Sequence, residues 1–350
     1  MAKRQLSKRQ SARIRHTQNE RQRRAEQRAE QVEAQLVAGE LGAERPGRVL
    51  AHYGATLDIE EASKAAGDGS AVTVHRCHQR ANLPPLVTGD DVTWRPGPDQ
   101  TGVVVACAER RSLLSRPDLR GNLRPVAANI DQILVVFAVS PATPLALIDR
   151  YLVAAALSDI EPVLVLNKAD LLHADDPYRQ YLTEYQALGY RTLLLSALEP
   201  LEATLVPVLQ NRVSIVVGQS GVGKSSLVNQ LFGDTDIPVQ TVSEATGKGR
   251  HTTTTAQLYH LPAGGDLIDS PGIREFGLWH VSADDVVAGF PEFQELLGQC
   301  RFRDCKHRNE PGCALRAAVA SGEVLARRLE SYHTILASLD EVGGYHRFGQ

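Results

Sequence analysis

The alternation of apolar and polar positions changes along the chain and first predicts a small barrel. Between residues 46 and 112, short β-branched stretches divided by Gly, Asp and Pro predict four or five antiparallel strands of an OB-like β-barrel. Such barrels often bind nucleic acid through their loops and one strand face, and a barrel used only for packing has the same pattern. Cys77 and Cys107 lie in these strands, where we expect small buried thiols.

Longer apolar runs follow between residues 113 and 279. The runs that predict strands are NIDQILVVFAVSP, EPVLVLNKAD, TLLLSAL and VSIVV, and helical stretches separate them. Continuous apolar runs suit strands buried on both faces, and strand–helix alternation indicates a parallel sheet with covering helices. In such sheets ligands bind just beyond the carboxyl ends of the strands.

One of these strands leads into a phosphate-loop pattern, GQSGVGKS, which opens a predicted helix. The glycines let backbone N–H groups approach phosphates, and the helix N-terminus adds a favourable dipole. Lys224 is expected to act on the outer phosphates as a catalytic residue, and the Ser225 hydroxyl to bind magnesium. The predicted phosphate-binding residues are Gly218, Gln219, Ser220, Gly221, Val222, Gly223, Lys224, Ser225 and Ser226.

A second motif, VLNKAD, predicts a guanine site. Asp170 can accept hydrogen bonds from the ring N–H and exocyclic amine of guanine, a donor pair that adenine lacks. Asn167 can bond the purine edge, and the stem of Lys168 can lie along the ring face. Ser196 and Ala197 follow the next strand, where a loop would touch the guanine carbonyl oxygen. Together these segments indicate GTP and not ATP.

Two further segments belong with the terminal phosphate and magnesium. LIDSPG ends an apolar strand with Asp269, suited to the outer shell of magnesium, and continues to Gly272, whose N–H can sense the terminal phosphate. A threonine of the preceding HTTTT segment can complete the magnesium coordination. Thr253 is the first choice, and Thr252 or Thr254 is the alternative.

The last region, residues 280–350, carries a cluster of metal-ligand residue types. CRFRDCKHRNEPGC places Cys300, Cys305, His307 and Cys313 within fourteen residues. Three thiolates and one imidazole match a closed zinc site, which would fold a short loop with little core of its own; free cysteines in a reducing cell are the alternative. A long helix over about residues 314–342 is expected behind it. Cations suited to RNA phosphates surround the cluster, namely Arg301, Arg303, Lys306, Arg308 and Arg316.

Charge adds a basic N-terminal arm, residues 1–45. Residues 1–30 hold ten Lys or Arg and three Glu, a charge of +7, which leaves −10 for the rest of a chain of net charge −3. The arm is expected to be disordered, and it is either a solvated tail or a contact for a nucleic-acid backbone. No apolar run reaches the ~18–20 residues of a membrane span, the first residues lack a signal core, and five cysteines is an odd number. A cytoplasmic protein is expected.

The motifs NKAD, SAL, GQSGVGKSS, HTTT and DSPG stand in an order that resembles the circularly permuted GTPases. With a barrel in front and a Cys/His cluster behind, the chain resembles the bacterial RsgA (YjeQ) family of small-subunit-dependent GTPases from about residue 46 onward. The resemblance implies three domains: an OB-like barrel, a permuted α/β P-loop GTPase domain and a helical zinc-binding domain. It also implies a switch region next to the C-terminal domain, GTP and Mg²⁺ in the site, one structural Zn²⁺, and the small ribosomal subunit with its rRNA as partner.

One residue that assists hydrolysis in many small GTPases is missing from this sequence. In many small GTPases a glutamine directly after the DxxG segment positions the attacking water, and here that residue is Ile273. We therefore expect slow intrinsic hydrolysis that a partner accelerates. His251 is the candidate for orienting water, and its alternative role is a loop residue that contacts RNA or solvent.

Two other functions fit the same motifs. One is an RNA-binding module that senses GTP with negligible turnover, and the other is a permuted GTPase that serves another RNA particle, such as the large subunit. A monomer is expected, because the sequence suggests no self-complementary seam.

Overall fold

A computed structural model of the chain describes residues 41–61, 73–117, 122–233, 256–269 and 281–347. The chain divides between Glu109 and Arg110 into two compact units. The basic arm lies outside the described residues, apart from its last few positions. Within the described parts of the chain, no helix has the length and apolar character needed to cross a membrane.

The first unit is a five-stranded barrel. Strand β1 pairs with both β2 and β4, so the sheet closes on itself in the order β1-β2-β3-β5-β4. The prediction of antiparallel strands was wrong for one pair. Strands β3 and β5 run parallel, because the chain crosses the barrel between its two hairpins. The strands are Arg45–His52 (β1), Leu57–Glu61 (β2), Val74–Gln79 (β3), Asp91–Pro96 (β4) and Thr101–Cys107 (β5).

The barrel core is built around Trp94, which is fully buried among aliphatic residues of all five strands. Gly47 and Gly102 make room for it, since a Cβ at either position would come within 2.8 Å of the indole. Cys77 is buried as expected, whereas Cys107 at the end of β5 is only half-buried. Trp94 is therefore a packing residue.

The second unit begins with a separate hairpin of strands Leu113–Pro117 (β6) and Leu123–Ala128 (β7). The hairpin begins at Leu113, directly after the residues that the sequence pattern assigns to the barrel. Arg111 connects the end of the barrel to this hairpin. Its N–H donates to the Asn129 side chain, and its guanidinium pairs with Asp131 at the base of the hairpin.

A six-stranded sheet forms the centre of the second unit, in the order β10-β9-β8-β11-β13-β12. All pairs are parallel except β12 with β13. Every residue of β8 is buried, as its apolar run predicts for a strand covered on both faces. The strands are Gln132–Ala138 (β8), Glu161–Asn167 (β9), Arg191–Leu194 (β10), Val213–Val217 (β11), Gln257–His260 (β12) and Asp266–Asp269 (β13).

Four helices connect these strands, and the C-terminal region adds three more in the described residues. The first four are Leu145–Leu157 (α1), Pro177–Ala187 (α2), Val206–Leu209 (α3) and Lys224–Phe232 (α4). The C-terminal helices are Ala283–Val286 (α5), Ala314–Ser321 (α6) and Ala326–Arg347 (α7), with 3₁₀ turns at Val287–Gly289 and Pro291–Leu296.

The C-terminal region differs from its prediction in one respect. The long helix over residues 314–342 is two helices, because Gly322 adopts a left-handed conformation (φ 82°) and its N–H caps the Val319 carbonyl. Phe290, Phe293 and Tyr332 form the aromatic centre of this region, and Val153 of α1 belongs to the same core. The C-terminal region and helix α1 thus share a hydrophobic core.

Candidate functional site

The parallel strands bring five loops to one edge of the sheet, four of them predicted from the sequence. Because β10, β9, β8, β11 and β13 all run in the same direction, their carboxyl ends meet there. The phosphate loop follows β11, NKAD ends β9, and SAL follows β10. Asp269 is the last residue of β13, and the turn at 139–143 follows β8.

The phosphate loop requires glycine at two positions. Gly218 has φ 142°, and a Cβ there would lie 2.1 Å from the Val136 carbonyl oxygen. Gly223 has φ 96° directly before α4, and a Cβ there would lie 2.3 Å from the Asn167 amide nitrogen. Val222 between them is fully buried and belongs to the core of the sheet. The loop therefore lies close to strand β8 and to the NKAD segment, with its backbone turned to the edge of the sheet.

The polar residues of the loop sit around its rim. Lys224 is the first residue of α4, and its Nζ donates to the carbonyl oxygens of Gly218 (2.8 Å) and Gln219 (2.7 Å). This places the ammonium group over the mouth of the loop. Ser220 and Ser226 are exposed, while Ser225 in the first turn of α4 is half-buried.

Asn167 uses its side chain within the protein. Its Nδ2 donates to the Val222 carbonyl oxygen (2.9 Å), and its Oδ1 accepts from the Ala197 N–H (3.1 Å). Asn167 is fully buried, so these bonds tie the NKAD, SAL and phosphate loops together. The purine contact predicted for this residue stays a prediction, and in the structure the side chain links three loops.

Lys168 and Asp170 have the placement that a base-binding role needs. Lys168 adopts a left-handed conformation (φ 62°), and its Nζ donates to the carbonyl oxygens of Ser140 (2.7 Å) and Gly221 (2.8 Å). Its stem is thereby held across the space between two loops. Asp170 is exposed, and one of its oxygens accepts from the Ser196 hydroxyl, which orients the carboxylate.

Other predicted residues divide between described and undescribed parts of the chain. Asp269 is half-buried at the end of β13, beside the strand that leads into the phosphate loop. His251, Thr253 and Gly272, with Ile273, lie outside the described residues. Their predicted roles stay predictions.

A second site lies in the C-terminal region. The ligand atoms of Cys300, Cys305, His307 and Cys313 all lie within 4.8 Å of one another. His307 Nδ1 is 3.5 Å from Cys300 Sγ and 3.4 Å from Cys313 Sγ. In a tetrahedral zinc site with metal–ligand distances of about 2.3 Å for sulfur and 2.0–2.1 Å for nitrogen, sulfur and nitrogen are about 3.5 Å apart. The four residues therefore fit a zinc ion.

The surroundings of this cluster also suit a metal. Burial lowers the pKa of His307, which favours the neutral imidazole that a metal ligand needs. The Ala314 N–H at the start of α6 donates to Cys300 Sγ (3.3 Å), as it would to a thiolate. Backbone N–H groups, that of Glu310 itself first and that of Lys306 next, lower the pKa of the Glu310 carboxyl to about 2. Glu310 thereby organises the loop between His307 and Cys313.

Sequence reasoning missed two parts of the nucleotide-binding edge. The turn Ser140–Thr143 holds Lys168 and touches Gly221 through Pro141, and Tyr178 of α2 donates its hydroxyl to the Thr143 carbonyl (2.7 Å). The proline pair in SPATP was the available signal for a fixed turn. The partnership with Tyr178 has no local sequence signal, because the two residues are 35 positions apart.

Comparison with known proteins identifies a family and relatives that this chain resembles. Residues 107–279 match the family model described as RsgA GTPase. The small ribosomal subunit biogenesis GTPase RsgA of Pseudomonas aeruginosa is 54% identical over 344 residues, covering 97% of this chain and 99% of that protein. The protein of the same name from Chromohalobacter salexigens is 56% identical over 345 residues, with the same coverage.

Two solved structures are similar over most of the chain. YjeQ from Thermotoga maritima shares 30% identity at a TM-score of 0.66, covering 85% of this chain and 99% of that one. YloQ, described as a circularly permuted GTPase, shares 26% identity at a TM-score of 0.66, covering 85% of this chain and 96% of that one. The strand order found here is that of a permuted GTPase sheet, as the order of the motifs predicted.

Proposed function

The chain belongs to the RsgA GTPase family, and from that premise we propose that it hydrolyses GTP on the small ribosomal subunit during late assembly of that particle. The observation that carries the GTP part of the proposal is the convergence of the described nucleotide motifs at one sheet edge. Asn167 and Lys168 join the NKAD segment to the phosphate loop by side-chain bonds of 2.9 Å to the Val222 carbonyl and 2.8 Å to the Gly221 carbonyl.

In this proposal Asp170 is the main residue that recognises the guanine base. Its carboxylate accepts from the ring N–H and amine of guanine, and the Ser196 hydroxyl keeps it oriented. The Lys168 stem covers a ring face, and the Ala197 backbone borders the guanine carbonyl oxygen. Asn167 contributes by holding these loops against the phosphate loop.

The phosphates occupy the cradle from Gly218 to Ser226. Backbone N–H groups of the loop and the N-terminus of α4 bind phosphate oxygens, and Lys224 exchanges its two loop carbonyls for the outer phosphates. Ser225, Asp269 and Thr253 would hold Mg²⁺. Magnesium, when bound, supplies positive charge that offsets charge developing on the phosphates.

Hydrolysis depends on groups of the switch region. Ile273 follows the DxxG segment and has no hydrogen-bonding side chain with which to orient water, so we expect slow turnover until a partner orders this region. His251 is our candidate for orienting the attacking water. If His251→Ala binds GTP normally and keeps full partner-stimulated turnover, this role is wrong.

The partner of the GTPase is ribosomal RNA, bound by the basic arm, the barrel and the basic residues near Cys300–Cys313. Zn²⁺ held by Cys300, Cys305, His307 and Cys313 fixes the loop that carries those basic residues. GTP hydrolysis would drive release from the subunit. The proposal places the protein in the cytoplasm as a monomer.

The decisive experiment is GTP turnover by the purified protein alone and with small subunits, large subunits or naked RNA. Strong stimulation by small subunits alone supports the proposal. Equal, slow turnover in all mixtures favours a GTP sensor, and stimulation by large subunits alone assigns the protein to another particle.

A matched control separates nucleotide reading from chemistry. Asp170→Asn replaces an acceptor with an amide that can donate to the extra carbonyl of xanthine. We expect this variant to prefer xanthosine triphosphate over GTP while keeping its stimulation by the same particle.

A further inference from the structure

The loop that carries the Cys/His cluster presents an aromatic ring to solvent. Phe302 lies between Cys300 and Cys305 and is 43% exposed, the highest exposure of any aromatic side chain among the large exposed hydrophobic residues of the described chain. Cys300 and Cys305 pack against the aromatic core of the C-terminal region, and Phe302 is not part of that core. The Phe302 ring is therefore available at the surface and is not needed by the core.

The position of this ring is fixed by the loop around it. The Arg301 N–H donates to the Gly312 carbonyl oxygen (2.9 Å), which joins the two ends of the cluster. Glu310 accepts from the N–H groups of Lys306 (2.9 Å) and Arg308 (2.8 Å) between them. Phe302 is therefore held on a loop that is organised before any partner arrives, which lowers the entropy cost of binding.

The charges near the ring favour a nucleic acid over a protein. The Arg301 guanidinium lies 5.5 Å from the centroid of the Phe302 ring, and Arg303 and Arg308 are exposed on the same loop. Two acidic residues lie on this loop. Asp304 is exposed, and the Glu310 carboxylate accepts hydrogen bonds from backbone N–H groups. Exposed cations attract the phosphates of a nucleic acid, and aromatic rings among cations are typical of surfaces that bind unpaired nucleotides.

We propose that Phe302 stacks on an unpaired RNA base while Arg301, Arg303 and Arg308 bind the phosphates on either side. The loop then recognises a single-stranded or bulged RNA segment and not a continuous duplex, whose bases are already stacked on one another. This deepens the proposed function, because it names the form of RNA that the C-terminal region takes.

The test measures binding of the zinc-loaded, full-length protein to two RNAs of equal length, an unstructured strand and a hairpin duplex. A 2-aminopurine in each RNA reports stacking directly. For Phe302→Ala we expect about tenfold weaker binding of the single strand, loss of the stacking signal and little change for the duplex. Phe302→Trp should keep both the affinity and the signal.

Leu297→Ala is the matched control, since Leu297 is 39% exposed in the same region and lies outside the cluster. It should leave both RNAs unaffected. The proposal is overturned if Phe302→Ala binds the single strand like the parent protein, or if both RNAs weaken equally. It is also overturned if only the affinity for intact subunits falls, which would indicate a protein contact.

These readouts stand apart from the GTPase assay. If small subunits fail to stimulate turnover while Phe302→Ala still loses single-strand binding, the proposed function fails and the stacking site stands. If small subunits stimulate turnover and Phe302→Ala binds both RNAs like the parent protein, the proposed function stands and the stacking site fails.

Discussion

A buried arginine fastens the C-terminal region to the GTPase helices. Arg328 of α7 is fully buried, and its guanidinium pairs with Asp149 of α1 (2.5 Å) and Glu292 (2.6 Å) and donates to the Gly289 carbonyl (2.9 Å). Tyr185 of α2 donates to the same Asp149 oxygen (2.6 Å). The two anions raise the pKa of Arg328 against the opposing effect of burial, so the residue is a permanent cation.

Replacing Arg328 with methionine keeps much of the apolar stem and removes the charge. Asp149 is fully buried and would keep an uncompensated carboxylate, and breaking a buried pair in this way costs about 3–5 kcal/mol. The pair of Arg212 with Glu161 is a control at the surface, where the side chains are 37% and 46% exposed. Arg212→Met should cost about 0–1 kcal/mol, because solvent screens that pair.

The free energy of unfolding is best read by hydrogen exchange of α1 and α7 amides, with metal and nucleotide held constant. Tryptophan fluorescence would not isolate the second unit, because Trp94, one of the two tryptophans of the chain, lies in the barrel. A loss of about 3–5 kcal/mol accelerates exchange of globally protected amides by roughly 100-fold or more. Barrel amides should be unchanged in both variants.

Two results would refute this reasoning. The first is a loss in Arg328→Met no larger than that in Arg212→Met. The second comes from the double variant that combines Asp149→Asn with Arg328→Met. We expect the double variant to recover part of the lost stability, because it removes one unpaired charge. Further loss in the double variant would mean that packing and not charge carries the effect.

Three other changes test the nucleotide and metal sites. Gly223→Ala should weaken GTP binding roughly 10- to 100-fold in a fluorescent-nucleotide titration, because its Cβ would lie 2.3 Å from the Asn167 amide. Gly233→Ala is the control for backbone strain, because Gly233 also has a positive φ but nothing lies within 4 Å of its Cβ position, and it should not weaken GTP binding. Tyr178→Phe removes one hydrogen bond to the turn before α1, so about 1 kcal/mol of stability and a few-fold in GTP affinity should be lost in thermal and binding assays. Cys305→Ser or a chelator should release zinc and speed exchange in α6 while barrel amides stay protected, and unchanged α6 exchange would contradict a structural role.

The parts of the fold that were predictable have strong local signals. The apolar run of β8 and the strand–loop–helix context of GQSGVGKS were sufficient to predict the sheet and the loop at its edge. The break at Gly322 was missed because an isolated glycine inside a helical pattern is usually tolerated, and only the left-handed backbone reveals the end of the helix. The parallel pairing of β3 with β5 depends on barrel closure, which periodicity does not contain.

The site was predicted less completely than the fold. Motif spacing identified Asp170 and Lys224, and the structure places both at the same edge of the sheet. Arg328 has no such signal, because a charged residue in an amphipathic helix pattern suggests a solvated face. Its burial depends on Asp149 and Glu292, which are 179 and 36 positions away along the chain.

Side-chain bonds, and not chain continuity, explain why the permuted order leaves the site intact. Asn167 bonds Val222 across 55 residues of chain, and Lys168 bonds Gly221 across 53. Each bond joins the half of the site that holds the NKAD segment to the half that holds the phosphate loop. Because the halves are held by these contacts and by parallel pairing of neighbouring strands, the chain can be opened at another loop without separating them. The base-reading segment can therefore precede the phosphate loop in the sequence and still lie beside it in the fold.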